Sequence, residues 1–253
     1  MATRARPTQR RRQVLSREQI VDTAIELLDT GGESGLTVRA LTERLATGSG
    51  AIYYHVGTRD ELLDTATETV IAAVLAAEPA PAPATPESEI RVVALGLFDA
   101  AAEHPWLATR LAVQLTRNPW GRVTVGIFEK IGRQVRALGV PQGIWFVAAS
   151  TLVHYILGAI GQTRIGGDAS GVETDEERER FLEAASLAWR ELDAADYPFM
   201  HAISGQMREH DDREQFLAGI ALILTAVDRA GQPVGAGRAA PAKGGAAPAP
   251  SGP

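Results

Sequence analysis

The chain has 253 residues, 45% hydrophobic and 22% charged, enough for one large domain or a small domain joined to a larger one. It has no cysteine, which excludes a disulfide framework, a thiolate metal site, a thiol nucleophile and thiol-based redox sensing. The net charge of -6 is unevenly spread: residues 1–17 hold six arginines and no acid, while the acidic excess lies from Ala66 onward.

Residues 1–14 form a basic arm, expected to be disordered until it meets a partner. Ser16 followed by Gln19 is a capping-box pattern, and Ile20, Ala24, Leu27 and Leu28 recur at helical spacing until Gly31 and Gly32 stop the helix. Thr37 caps a short second helix with Val38, Leu41 and Leu45 inward and Arg39 and Glu43 outward. Ala46 to Gly48 form a tight turn, and Ser49 opens a third helix with Ile52 and Val56 inward. Thr58 with Glu61 makes a second capping box, starting a fourth helix through Leu62, Leu63, Ala66, Val70 and Val74. These elements make a head over residues 15–75.

Residues 76–87 alternate Ala and Pro, which cannot continue a helix, and mark a stiff connector and domain boundary. Apolar residues then return at helical spacing near 87–103, 105–116, 120–138, 142–164, 175–192 and 212–229, with no competing strand pattern. The larger domain is placed at 88–230, with a flexible interruption at 166–173 and a Gly, Ala and Pro tail at 231–253. The apolar run from Ile144 to Gly161 falls short of a membrane span of about 20 residues and holds Ser150, Thr151, His154 and Tyr155. It is read as a buried helix, the basic N-terminus has no following apolar stretch of a secretory signal, and a cytoplasmic protein without membrane contact is expected.

A helix enters the major groove when it presents short or donor-bearing side chains outward and a second helix braces it. Residues 37–55 meet that requirement, and residues 51–63, AIYYHVGTRDELL, carry the most specific pattern. This segment, with its upstream context from about Leu15, resembles the tetracycline-repressor (TetR) family of regulators. The resemblance implies an all-α fold: an N-terminal three-helix helix-turn-helix DNA-binding domain joined to a larger helical ligand-binding and dimerisation domain. By the same resemblance, Arg39, Ser49, Gly50, Ala51 and Tyr53 match base-facing positions, and Thr37, Tyr54, His55 and Arg59 match phosphate-facing ones. Ala46 stands where the family usually has Gly, a departure that costs about 1 kcal/mol if the turn needs a positive φ. Arg10, Arg11 and Arg12 lie where some relatives send an arm into the minor groove. Residues 1–65 hold nine Arg against nine Asp plus Glu, so the arm supplies much of the salt-dependent attraction to DNA.

The helices near 142–164 and 212–229 are apolar over most of their circumference, which one buried face does not require. A second copy explains it, as would a central place for both helices in the core of a monomer, and the resemblance implies a four-helix dimer bundle in which Leu152, Ile156, Ile160, Phe216, Ile220, Ile223, Leu224 and Val227 form the interface and Gly158 and Gly219 permit close approach. A twofold dimer predicts a palindromic operator. The segment TLVHYILGA, residues 151–159, is similar to the same family's C-terminal domains. His104, Trp106, Gln114, Trp120, Trp145, His154 and Tyr155 are the candidate lining of an apolar ligand pocket.

His210, Asp211, Asp212 and Glu214 read as a helix cap before a metal site, so no metal and no cofactor are expected. The chain lacks a Gly-rich phosphate loop and an HExxH motif, and its histidines are dispersed, so no enzyme is expected. The reading is a homodimeric repressor released from its operator by a small apolar ligand, with contact between the fourth helix and the segment around His104 to Leu107 transmitting the signal. Its alternatives are a constitutive DNA binder, which needs no cavity, and a helical enzyme or sequestering protein with a DNA-binding head, which needs turnover or capture of a small molecule.

Overall fold

The computed structural model describes residues 15–162 and 174–231. The described residues form eleven α-helices and one 3-10 turn, Gln142–Ile144, and contain no strand. The head comprises α1 (Arg17–Gly35), α2 (Val38–Leu45), α3 (Ser49–Val56) and the start of α4 (Arg59–Ala76). Both capping boxes form as their residues dictate: Ser16 accepts from the Gln19 amide while Gln19 bonds back to the Ser16 amide, and Thr58 and Glu61 repeat the arrangement. The first helix turns off its axis at Gly32, whose φ of 58° is open to glycine and strained for other residues. Ala46 ends α2 with φ 48° and ψ 45°, so the turn does require the left-handed conformation, in a residue with a Cβ.

Ile20, Ala24, Leu28, Leu36, Leu41, Ile52, Val56, Leu62 and Leu63 bury together as the head's core. Burial of each large aliphatic chain contributes about 1.5–3 kcal/mol, so Ile52 and Val56 are enough to seat the two-turn α3, which is too short to hold by itself.

The larger body follows as α5 (Pro86–Glu103), α6 (Leu107–Arg117), α7 (Arg122–Ala137), α8 (Trp145–Gln162), α9 (Asp175–Arg190), α10 (Pro198–Arg208) and α11 (Asp212–Gly231). The Ala/Pro segment joins α4 to the larger body. It reverses the chain so that α4 packs on α5, α6 and α7. Two glycines permit the approach: a Cβ on Gly96 would lie 2.9 Å from Val74, and one on Gly126 would lie 3.0 Å from Leu75. The fourth helix is therefore shared between head and body. The helix α10 falls between the expected segments 175–192 and 212–229; Pro198 in its first turn is a start signal, because its missing N–H has no partner to lose there.

The expected dimer residues need correction. Leu152, Ile156, Ile160, Phe216, Ile220, Leu224 and Val227 are buried inside a single chain, where α8 and α11 pack on each other and on α5, and Ile223 is half-buried against the same core. A side chain already enclosed by its own chain has no surface left for a partner. The sides of these helices that stay open carry Val147, Thr151, His154 and Gly158 on α8, and Ala218, Leu222 and Thr225 on α11. Gly219 serves the interior: Tyr155 lies against it, and a Cβ there would sit 2.0 Å from the Tyr155 hydroxyl. The helix α8 is the one described helix long and apolar enough to cross a membrane by length and composition, and its buried side is part of this core.

Candidate functional site

In the head, α3 rests on Ile52 and Val56, and this seating turns Ser49, Gly50, Ala51, Tyr53 and Tyr54 to the exposed side, with His55 half-buried. Tyr54 is 86% exposed and its ring meets His55 edge-on at 5.3 Å between centroids. No acid lies on α3, so nothing on it repels a phosphate backbone. On α2, the Arg39 side chain is 87% exposed and held only by Glu43, at 2.8 Å. Such an exposed pair is weak, so Arg39 is free to exchange it for a base edge. Thr37 caps α2 by accepting from the Ala40 amide. Arg59 departs from its expected phosphate-facing role: its guanidinium donates to the carbonyls of Leu36, at 3.0 Å, and Glu33, clasping the end of α1 to the start of α4.

Residues 15–65 hold four arginines against nine carboxylates. The carboxylates are largely directed elsewhere: Glu43 to Arg39, Glu26 to Arg44, Glu61 to Thr58, and Asp29, Glu33 and Asp64 to donors of the larger body. Hydrogen bonds from the Thr58 amide and then its hydroxyl hold the Glu61 carboxyl below its ordinary range. Arg10, Arg11 and Arg12 lie outside the described residues.

Of the seven candidate pocket residues, five do not line the cleft that His154 and Tyr155 share. His104 Nδ1 and Trp106 Nε1 both bond Asp29 Oδ1 on α1, at 2.8 and 2.7 Å. Gln114 Nε2 donates to Asp64 Oδ1 on α4 at 2.7 Å, beside Arg110, which binds the same oxygen at 2.7 Å. Trp145 donates to the Val140 carbonyl at 2.6 Å, with the Arg136 guanidinium 5.7 Å from its ring centroid. Trp120 is 79% exposed in the turn between α6 and α7. The polar atoms of His104, Trp106, Gln114 and Trp145 are taken up by Asp29, Asp64 and the Val140 carbonyl, which removes them from a pocket wall.

The remaining two, His154 and Tyr155, do line a cleft. It holds about 450 Å³ between α8, the α9–α10 pair and α11, with Phe181, Leu182, Met207 and Phe216 as apolar wall. The Tyr155 ring stacks on Phe216 at 5.9 Å and 11°, and its hydroxyl donates to the Gln215 and Phe216 carbonyls at 3.3 and 3.2 Å. Burial pushes the Tyr155 phenol above its usual pKa, so it stays a neutral donor. At the rim, Asp212 binds both Arg178, at 2.7 Å, and His210, at 2.8 Å. The sequence reading missed Arg178, Phe181 and Met207, since the α9–α10 pair reaches α8 only through the tertiary fold. A larger, polar recess beside the α2–α3 turn, lined by Gln19, Asp22, Glu43 and Arg44 among others, lies off the exposed side of α3.

A braced helix-turn-helix head on an all-helical body defines a DNA-binding transcriptional regulator. Residues 20–66 match the family model "Bacterial regulatory proteins, tetR family", and residues 79–229 match "Tetracyclin repressor-like, C-terminal domain". The chain belongs to the tetR family. Its fold is similar to that of the transcriptional regulator SCO7222 from Streptomyces coelicolor, with TM-score 0.77 and 53% identity over 86% of this chain and 100% of that one. It is 29% identical over 219 residues to an HTH-type transcriptional regulator of Saccharopolyspora erythraea, covering 84% of this chain and 87% of that protein. ActR from Streptomyces coelicolor, solved in complex with actinorhodin, shares the fold at TM-score 0.69 and 24% identity, over 85% of this chain and 96% of that one.

Proposed function

We propose that the chain is a homodimeric repressor that holds a palindromic operator through α2 and α3 and releases it when a small apolar ligand enters the cleft on α8. The observation that carries the reading is α3 itself: acid-free, seated on Ile52 and Val56, with Ser49, Gly50, Ala51 and Tyr53 exposed beside Arg39, whose exposed pair with Glu43 is weak. In that frame Arg39 reads guanine, Ser49 and Tyr53 donate to base or phosphate, Ala51 packs on a thymine methyl, and Thr37, Tyr54 and His55 set the register. The Arg10 to Arg12 arm adds the charge that residues 15–65 lack.

Support for the dimer comes from charge. Between Trp145 and Gln162, and between Gln215 and Val227, no charged residue occurs, yet Val147, Thr151, His154, Gly158, Ala218, Leu222 and Thr225 lie outside the chain's own core. A second copy would cover that uncharged strip and set two reading helices one or more DNA turns apart. Support for the ligand comes from the cleft, whose volume suits a small molecule and whose Tyr155, Phe216 and Phe181 favour an aromatic one. Release requires that the ligand favour one spacing of the heads over the other.

The test is a gel-shift titration against the chain's own upstream DNA and a scrambled duplex, at two salt concentrations. Tight, salt-sensitive binding to the first alone is expected, and Arg39→Ala should weaken it by about 10–100-fold, the equivalent of one bidentate base contact. Equal, weak binding to both duplexes would overturn the reading.

A further inference from the structure

Two carboxylates of the head each receive two side chains from the larger body. Asp29, on α1, takes His104 Nδ1 at 2.8 Å and Trp106 Nε1 at 2.7 Å from the turn between α5 and α6. Asp64, on α4, takes Arg110 and Gln114 from α6, each at 2.7 Å. Trp106, Leu107, Leu111 and Gln114 are buried, so these donors belong to a packed wedge, and Arg110 Nε is buried with no acceptor of its own. The helix α6 packs on α4 on one side and on α8, a wall of the cleft, on the other.

We infer that Asp29 and Asp64 are positioning residues for DNA recognition: they fix the angle of each reading head on the body, and hence the half-site spacing a dimer accepts. The inference rests on the repressor reading above. One attachment would leave a hinge, whereas two, on different helices of the head, resist rotation about either. Apolar packing between α4 and α5 is non-directional and tolerates a small roll; hydrogen bonds to one carboxylate oxygen lose strength steeply with angle and distance. Both carboxylates are occupied by donors of the larger body, so neither reads a base. A shift of α8 would reach the heads by moving the Arg110 and Gln114 donors on α6, and the bonds at Asp64 would be the first to change.

The experiment is selection from a pool of random DNA duplexes by the full-length chain, followed by affinity measurement on the enriched half-site pair re-synthesised one base pair shorter and longer. The wild type should favour one spacing. Asp29→Ala and Asp64→Ala should enrich the same half-site sequence, because Arg39 and the α3 residues are untouched, while the preference for the wild-type spacing falls on the order of tenfold. A residue that merely stabilises the fold would lower the melting temperature and leave the spacing ratio unchanged. Folded alanine variants with the wild-type ratio overturn the inference and leave the repressor reading standing. A wild-type chain that enriches no paired half-sites overturns that reading and the inference with it. If an alanine variant does not fold, Asp64→Asn, which keeps the shape and one acceptor but loses the charge, is judged by the same ratio.

Discussion

Gly219→Ala tests whether Tyr155 fills the space at α11. A helical glycine with room around it gains about 1 kcal/mol on replacement by alanine, through the backbone freedom that glycine loses on folding. Here the new Cβ would lie 2.0 Å from the Tyr155 hydroxyl and 2.2 Å from Cζ, far inside any real contact. The helix cannot retreat, since Phe216 and Ile220 anchor it in the core on either side. The ring must swing into the cleft instead. It then gives up its stack on Phe216, about 0.5–1.5 kcal/mol, a hydrogen bond of about 1 kcal/mol, and part of its burial. Overpacking of this kind costs about 1–3 kcal/mol, so the variant should be destabilised by about 1–2 kcal/mol despite the helix gain. At about 2–4 °C per kcal/mol for a chain of this size, the melting temperature should fall by about 2–8 °C. The assay is thermal unfolding by far-ultraviolet circular dichroism at one fixed protein concentration, because a dimer's midpoint moves with concentration. The sign is the decisive readout. In a Tyr155→Ala background the same Gly219→Ala change should stabilise by about 0.5–1 kcal/mol. If Gly219→Ala raises stability with Tyr155 in place, the ring does not occupy that space and the account of the cleft floor is wrong.

Ala46→Gly should stabilise the head by about 0–1.6 kcal/mol: it relieves a left-handed alanine costing about 1–2 kcal/mol, less about 0.4–1 kcal/mol of added freedom in the unfolded chain. Chemical denaturation checks the gain, and a loss of stability would count against the turn geometry at φ 48°. Val147→Glu with Leu222→Glu places charge on the uncharged strip and should turn a dimer into a monomer in analytical ultracentrifugation, with operator affinity lost as well; an unaltered dimer would move the interface elsewhere. Glu61, whose carboxyl is held below its usual 4.5 by the Thr58 amide and hydroxyl, contributes stability that is present above that value and lost as pH falls below it. Acid unfolding of Glu61→Gln should therefore show a weaker dependence on pH below about 4.5 than the parent chain; identical acid profiles would remove the box from the acid response.

The head was legible because its signals are local. Ser16 with Gln19 and Thr58 with Glu61 each act within one helical turn, so their letters determine where α1 and α4 begin, and Gly32, expected to stop α1, bends it instead before the helix ends at Gly35. Ile52 and Val56, four residues apart on a two-turn helix, also determine by themselves which side of α3 is left to face DNA. In α8 and α11 apolar residues surround most of the circumference, periodicity names no buried side, and only packing decided that Leu152, Ile156, Phe216 and Ile220 go inward while Val147 and Leu222 stay out. Asp29 lies 75 residues before His104, and Asp64 lies 50 before Gln114. No spacing rule links residues so far apart, since their meeting depends on how α6 wedges between α4 and α8. Short-range hydrogen bonds and helical period determined the reading head, while long-range burial, which depends on every helix at once, decided what holds that head in place.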